Sequence, residues 1–363
     1  MEKEFFALLR IGLGNRTAEG ENLSDFIMMS ASQWEQLGEL AQEQGVLGVM
    51  LDGIDRLDAT GYGATRELSK EQKLEWIGNV LNGSEAHNQH QLAVIADLQK
   101  RWAESDLRMM VMKGQAMGMY YPNPKHRAPG DIDCYLFDGY VKGNEAANGW
   151  ADKVDDGWYK HSVINYKGET IENHQYFVHT REGKKSKQLN QVLVDTLKVD
   201  SFDNLPGTDA LMPPPMFNAL FLTYHALAHF LEEGLRLKQI LDWAMFLKRD
   251  ADKVNWEEFY KCCDKFHFRR FADVMTDIAI YYLGTDVTQI PQITTNSPYT
   301  EKVLHSTLFD KDYVFNSGEG GWRNRWHIVQ NLFRYKWKYH QIYQRSVLRQ
   351  LWWYGIGYIF KTE

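Results

Sequence analysis

The stretch that decides the fold runs from Pro129 to Phe137 and reads PGDIDCYLF. It begins with alternating polar and apolar residues and then turns apolar, as a partly buried β-strand does. Residues two apart on a strand point to the same face, so Asp131 and Asp133 project together. Adjacent carboxylates repel each other unless a cation such as Mg²⁺, which takes oxygen ligands, lies between them. The segment therefore predicts a strand with a candidate metal site.

An apolar run, Met109 to Met112, precedes this strand and ends in Lys113 and Gly114. We predict a buried strand, a glycine turn and then a short helix over 116–121. Glycine lets the backbone approach an anion closely, and a helix start offers free N–H groups. Lys113 and the downstream Arg127 add positive charge. The pattern favours phosphate binding, although a glycine turn beside two solvated cations accounts for the same residues.

The hydrophobic pattern divides the whole chain into three parts. The predicted parts are 1–105, 106–205 and 206–363. The first has apolar residues at helical spacing, and Ser32 with Glu35 three residues later predicts a capping box. The last is helical again after three prolines at 213–215. A mixed α/β central part between an N-terminal and a C-terminal helical region indicates an α+β fold.

Further elements are predicted within these parts. The central part has strand-like patterns at 158–166, 170–178 and 192–199. The pair Lys167-Gly168 lies between the first two and is typical of a hairpin turn. The C-terminal part has helical patterns at 235–249, 255–283 and 321–345.

Composition and charge limit the classes of function. The 363 residues are 44% hydrophobic and 25% charged, which is ordinary for a soluble globular protein. The net charge of −7 argues against long nucleic acid as a partner, because that would need a broad basic face. Cysteines at 134, 262 and 263 have neither disulfide-framework nor zinc spacing, so we expect a cytoplasmic protein. The sequence contains no run of about 18 consecutive apolar residues, so we predict no transmembrane segment.

Several blocks between residues 85 and 250 resemble one protein family. The blocks are Lys113-Gly114, Tyr120 to Pro124, Arg127 to Asp133, Glu172 with His174, and His225 to Asp242. Together they resemble the uncharacterised bacterial nucleotidyltransferase family of the DNA polymerase beta-like superfamily. In two places the chain departs from the pattern, with Gln115 in place of glycine or serine and a polar Asn173 in place of an apolar residue.

The resemblance implies a small mixed-sheet nucleotidyltransferase core with the metal site on the edge of the sheet. It also implies a catalytic and metal-binding set of Asp131, Asp133 and Glu172, with Glu172 as the third carboxylate on a neighbouring strand. The implied cofactor is Mg²⁺ or Mn²⁺. A nucleoside triphosphate would lie against Gly114. The predicted nucleotide-binding residues are Lys113, Gly114, Gln115, Arg127 and Gly130.

His225 and His229 are spaced to share one face of a helix. A zinc protease needs a glutamate directly after the first histidine, and Ala226 stands there, which argues against that class. We predict instead that both histidines, with Tyr224 and His174, form a wall on the acceptor side of the cleft. The alternative is that the two helical histidines are hydrogen-bonded within the helix packing and point away from it.

These patterns lead to a predicted function with two alternatives. A two-metal enzyme would transfer a nucleoside monophosphate from the triphosphate to a small molecule, a protein side chain or an RNA end. The first alternative is a catalytically degenerate nucleotide-binding or scaffold protein, which Gln115 and the uncertain third carboxylate suggest. The second is a helical interaction protein whose α/β core is only structural, which requires the face of Asp131 and Asp133 to be covered.

Overall fold

A computed structural model describes residues 1–232, 234–293, 295–310 and 330–348. In this part of the chain a five-stranded mixed sheet is flanked by helices, which confirms the predicted α+β class. Buried apolar side chains from the sheet and from both helical regions belong to one continuous cluster. The exact boundaries of the three predicted parts stay a prediction. No helix among the described residues combines the length and the apolar character needed to cross a membrane.

The sheet brings two distant strands side by side. Its strands are β1 (Met109–Val111), β2 (Ile132–Leu136), β3 (Lys153–Asp155), β4 (His161–Tyr166) and β5 (Glu169–His174), in the order β1-β2-β5-β4-β3. Strands β2 and β5 pair in parallel, whereas the other neighbours are antiparallel. The parallel register places Asp133 opposite Glu172. Directly paired residues share a face of the sheet, so these carboxylates lie together.

The hairpin between β4 and β5 turns at Lys167 and Gly168, as predicted. Both residues have positive φ angles, 52° and 79°, which suits a two-residue hairpin turn. The turn sets the β4–β5 register, in which His161 lies opposite His174. His174 and His161 therefore join the face that carries Asp133 and Glu172.

The N-terminal region consists of helices. They are α1 (Glu2–Gly12), α2 (Leu23–Ile27), α3 (Ala31–Glu43), α4 (Leu47–Asp58), α5 (Lys70–Asn79) and α6 (Ala86–Ala103). A π-helical turn, Val80–Glu85, joins α5 to α6. The predicted capping box was two residues too late, because Ser30 caps α3 with Gln33 as its partner. Glutamine completes such a box as glutamate does, so both serines fitted the pattern.

The remaining helices surround the sheet and continue beyond it. They are α7 (Gln115–Gly118), α8 (Tyr140–Ala147), α9 (Lys184–Asp195), α10 (Pro215–Glu232), α11 (Leu237–Asp250), α12 (Trp256–Phe266), α13 (Arg269–Asp277) and α14 (Thr300–Phe309). The predicted strand at 192–199 was wrong, because its first residues belong to α9. Leu189 and Leu193 of that helix are both buried, and a spacing of four places them on one helical face.

The predicted helix at 255–283 is interrupted. His267 has a φ angle of 69°, a left-handed conformation that ends α12 before α13 begins. Left-handed residues commonly terminate helices, although glycine is more usual there. The predicted helix at 321–345 lies partly outside the described residues.

Candidate active site

Three side chains on β2 and β5 form a candidate metal centre. One ligand atom from each of Asp133, Glu172 and His174 lies within 4.8 Å of the others. His174 Nε2 is 3.1 Å from Asp133 Oδ1 and 3.3 Å from Glu172 Oε2. Carboxylate oxygens and imidazole nitrogens are common metal ligands. The predicted ligand set and this cluster share Asp133 and Glu172, and the cluster adds His174.

Asp131 lies just before β2 and is exposed. Although the residue as a whole is exposed, the surrounding protein partly desolvates its carboxyl group and raises its pKa, and the negative charges of Glu172 and Asp133 raise it further. Asp131 therefore shares the electrostatic environment of the cluster, although it is not one of the three residues whose ligand atoms converge. Its role as a metal ligand stays a prediction.

Lys113 supplies a cation to this cluster from the protein itself. Its Nζ lies 2.8 Å from Asp133 Oδ1. Burial alone would raise the pKa of Asp133, but the charge of Lys113 holds it well below its usual range. Asp133 is thus an anion that already has a cation from its own chain as its partner.

Helix α10 approaches the cluster through His225. His225 Nε2 is 2.8 Å from Lys113 Nζ and 2.8 Å from His229 Nε2. Burial, followed by the positive charge of Lys113, lowers the pKa of His225, so its neutral ring accepts a hydrogen bond from the ammonium group. Tyr224 is buried elsewhere, with its hydroxyl 3.2 Å from that of Tyr343. The wall on the acceptor side therefore remains a prediction. Of the predicted wall residues on α10, His225 is the one that contacts Lys113, which in turn pairs with Asp133.

Gly114 takes a backbone conformation that other residues rarely adopt. Its φ of 51° and ψ of −115° come directly before α7. The next side chain, Gln115, is buried and donates from Nε2 to Asn88 Oδ1 (2.7 Å) and Gln91 Oε1 (3.0 Å) of α6. Gln91 Nε2 in turn donates to the carbonyl oxygen of Gly130 at 2.5 Å. Gln115 and Gln91 therefore tie the two predicted phosphate-side loops to one helix.

Arg127 is buried against α11. Its Nε and Nη2 donate to the two carboxylate oxygens of Asp242, each at 2.8 Å. Tyr121 also donates its hydroxyl to Asp242 Oδ1 at 2.8 Å. A guanidinium held in this way has a structural partner, and its contact with a nucleotide stays a prediction.

The contacts of Asn173 explain why a polar residue stands where the family pattern has an apolar one. It alternates with Glu172 and His174, so it faces the other side of β5. There its Nδ2 donates to Asn144 Oδ1 of α8 at 2.8 Å, and Ser162 Oγ of β4 donates to the same oxygen at 2.7 Å. The polar residue anchors α8 and leaves the face of Glu172 unaffected.

Sequence reasoning missed two lysines that bring positive charge to the cluster. Burial lowers the pKa of Lys160, just before β4, while the charge of Glu172 opposes the shift and that of Lys113 adds to it. Lys238 of α11 has its Nζ 3.3 Å from the carbonyl oxygen of Pro129. Burial and then the charge of Arg127 lower the pKa of Lys238 to about 8. Neither lysine lies in a recognisable motif, so no local signal marks it.

Carboxylates on adjacent strands, beside a glycine turn and several lysines, are typical of sites for metal ions and phosphates. The chain belongs to the family described as uncharacterised nucleotidyltransferase, whose model matches residues 30–284. The match contains every residue of the candidate site, and it confirms the family resemblance. No curated protein and no solved structure matches the chain.

Proposed function

We propose that the protein is a metal-dependent nucleotidyltransferase. An acceptor oxygen would attack the α-phosphorus of a nucleoside triphosphate, and the bond from that phosphorus to the β-phosphate oxygen would break. The products would be a nucleotidylated acceptor and pyrophosphate. The observation that supports this most is the convergence of Asp133, Glu172 and His174 in a chain of this family.

The donor set fits a divalent cation such as Mg²⁺ or Mn²⁺. It offers two carboxylates and one imidazole, and Glu172 is partly open to solvent, with a quarter (25%) of its side chain exposed. We propose that Asp131 completes the set from the solvent side. When bound, the metal would lower the pKa of the acceptor hydroxyl and stabilise charge at the α-phosphate.

Lysines supply the remaining charge for the phosphates in this proposal. We propose Lys113, Lys160 and Lys238 for that role beside the predicted Arg127, whose guanidinium group already has Asp242 as a partner. Lys113 currently neutralises Asp133, and a cation at Asp133 would compete with it. Metal binding would therefore free the Lys113 ammonium group for the triphosphate beside Gly114.

The acceptor side is proposed to lie towards α10, where His225 contacts Lys113. The acceptor would be a small molecule, a protein side chain or an RNA end. A long nucleic acid fits poorly with a net charge of −7.

The second candidate is a non-catalytic nucleotide-binding protein. It is favoured by the ion pair between Lys113 and Asp133, which places a protein cation on a predicted metal ligand. The two candidates differ in one measurable respect. Both bind a nucleoside triphosphate, but only the enzyme releases pyrophosphate.

Calorimetry with Mn²⁺ and a non-hydrolysable nucleoside triphosphate tests the binding site. We expect Asp133→Asn to abolish this binding, because it removes the central carboxylate charge. Asp138→Asn is the matched control, since Asp138 is an exposed carboxylate just after β2 with a φ of 51°, which asparagine tolerates. Equal binding by wild type and Asp133→Asn would refute the site.

A pyrophosphate-release screen then separates the two candidates. The four nucleoside triphosphates are combined with Mg²⁺ or Mn²⁺ and with pools of small molecules, proteins and short RNAs. Release by the wild type that is absent in Asp133→Asn supports the enzyme. Nucleotide binding without release from any pool supports the second candidate.

A further inference from the structure

His174 has one ring nitrogen committed to the backbone. The residue is fully buried, with 0% of its surface exposed, and its Nδ1 lies 3.2 Å from the carbonyl oxygen of Tyr176. A carbonyl oxygen only accepts hydrogen bonds, so Nδ1 carries the hydrogen. This contact fixes the orientation of the ring, and Nε2 is left to face the cluster.

The other ring nitrogen faces two anions. Nε2 is 3.1 Å from Asp133 Oδ1 and 3.3 Å from Glu172 Oε2. A neutral ring with its hydrogen on Nδ1 presents a lone pair at Nε2, which repels both carboxylates. Either a second proton or a metal ion held between the three atoms removes the repulsion. Histidines that bind metal commonly donate their other N–H to a backbone carbonyl, as His174 does.

We infer that His174 Nε2 is a metal ligand, and that it makes the centre prefer a divalent first-row transition ion to Mg²⁺. This inference rests on the metal site of the proposed function and goes beyond it in naming the kind of ion. Mg²⁺ prefers oxygen ligands and retains several waters. Transition ions accept imidazole together with carboxylates, and a mixed nitrogen–oxygen set therefore discriminates against Mg²⁺.

The contacts around His174 keep its Nε2 close to both carboxylates. His174 is held by Tyr176 on one side, and its strand neighbour Asn173 is anchored to Asn144 on the opposite face. The backbone register keeps Glu172 directly beside Asp133. A cation that uses both carboxylates must therefore lie within reach of Nε2.

The first test uses the full-length wild-type protein and metal alone. Mn²⁺ is added without nucleotide, and pulsed electron paramagnetic resonance records couplings from ligand nuclei. We expect a nitrogen coupling from directly bound imidazole, and Mg²⁺ should displace Mn²⁺ only in large excess. A bound Mn²⁺ without nitrogen coupling, equal affinities for the two ions, or no Mn²⁺ binding would each overturn the inference.

The second test is His174→Gln, with circular dichroism to confirm folding. Calorimetry should show Mn²⁺ binding weakened by about tenfold or more, the scale of losing a group that ligates or orients a metal. Mg²⁺ binding should change far less, because its oxygen ligands remain. The matched control is His305→Gln, since His305 is exposed on α14. If His174→Gln does not fold, the electron paramagnetic resonance spectrum of the wild type with Mn²⁺ decides whether the inference stands.

The outcome is separable from that of the proposed function. Nitrogen-bound Mn²⁺ in a protein that never releases pyrophosphate would keep this inference and remove the enzyme. Pyrophosphate release with an all-oxygen metal centre would do the reverse.

Discussion

At the scale of single residues, the two cations predicted to bind phosphate, Lys113 and Arg127, have different partners. Lys113 pairs with Asp133 of the cluster, and its side chain remains partly accessible, with 17% of its surface exposed. Arg127 is fixed in a two-pronged ion pair with Asp242, and both side chains are at most 8% exposed. The closeness of Arg127 to Gly130 in the sequence therefore does not make its guanidinium group available to a phosphate. Burial and the partner decide its role.

We predict that Arg127→Met lowers the free energy of unfolding by about 3–5 kcal/mol, the cost of leaving one partner of a buried ion pair uncompensated. Asp242 would be left charged and buried, with the Tyr121 hydroxyl as its remaining side-chain hydrogen bond among the described residues. Urea denaturation monitored by tryptophan fluorescence measures the change.

Lys261→Met is the matched control for this prediction. Lys261 forms an ion pair with Glu257 on α12, but the two side chains are 71% and 77% exposed. Such a surface pair contributes less than about 1 kcal/mol. A stable Arg127→Met variant that loses triphosphate affinity would instead return Arg127 to the nucleotide site.

At the scale of elements, helix α3 shows how close alternatives compete in the sequence. Ser30 and Ser32 are each followed three residues later by a residue that can complete a capping box. In the structure Ser30 Oγ accepts from the backbone N–H of Gln33, and Gln33 Oε1 accepts from the backbone N–H of Ser30. Ser32 then lies inside the first turn of the helix.

Substituting the two serines separately tests this assignment. We expect Ser30→Ala to lower the free energy of unfolding by about 1 kcal/mol, because a backbone N–H loses its cap. Ser32→Ala should change it by less than about 0.5 kcal/mol, as an exposed substitution away from a cap does. Thermal and urea unfolding of both variants give the comparison. The opposite ranking would place the cap at Ser32.

At the scale of the whole molecule, helices far apart in sequence hold the site loops. Helix α6 binds the loop of Gln115 and the carbonyl oxygen of Gly130. Helix α11 binds Arg127, and α10 reaches Lys113. The site is therefore a product of the packing between the sheet and both helical regions.

His126 adds a pH-dependent link between these parts. Its Nδ1 is 2.9 Å from Asp52 of α4, and its Nε2 is 3.1 Å from Glu85, which precedes α6. Burial would lower the pKa of His126, but the hydrogen bonds and charges of Asp52 and Glu85 raise it above its ordinary value. The charged ring thus binds the loop before β2 to two helices.

The raised pKa predicts how stability depends on pH. The folded protein holds the His126 proton more tightly than the unfolded chain, so the link stabilises fully below about pH 6.5, the unfolded value. This contribution is lost as pH rises through the higher pKa of the folded state. We expect the wild type to lose more stability than His126→Gln does as the pH rises above about 6.5.

Urea denaturation at several pH values measures this difference. His305→Gln serves as the control, because His305 is exposed on α14. The control should follow the wild type. Parallel pH curves for wild type and His126→Gln would show that the link does not depend on protonation.

The alternation of polar and apolar residues and the residues that favour turns could be recognised from the sequence alone. The alternation around Asp131 and Asp133 predicted β2, and the Lys167-Gly168 pair predicted the β4–β5 turn. Each of these depends on the conformations of a few consecutive residues. Steric and hydrogen-bond preferences over that distance are strong enough to be recognised without the rest of the chain.

Tertiary structure alone decided which polar side chains meet. Arg127 and Asp242 are 115 residues apart, and Lys113 and His225 are 112 apart. The strand predicted at 192–199 failed for the same reason, since a short apolar run fits a strand or a helix until packing chooses a face. Burial and pairing depend on the helices that close over the sheet. No local pattern in the sequence states where those helices lie.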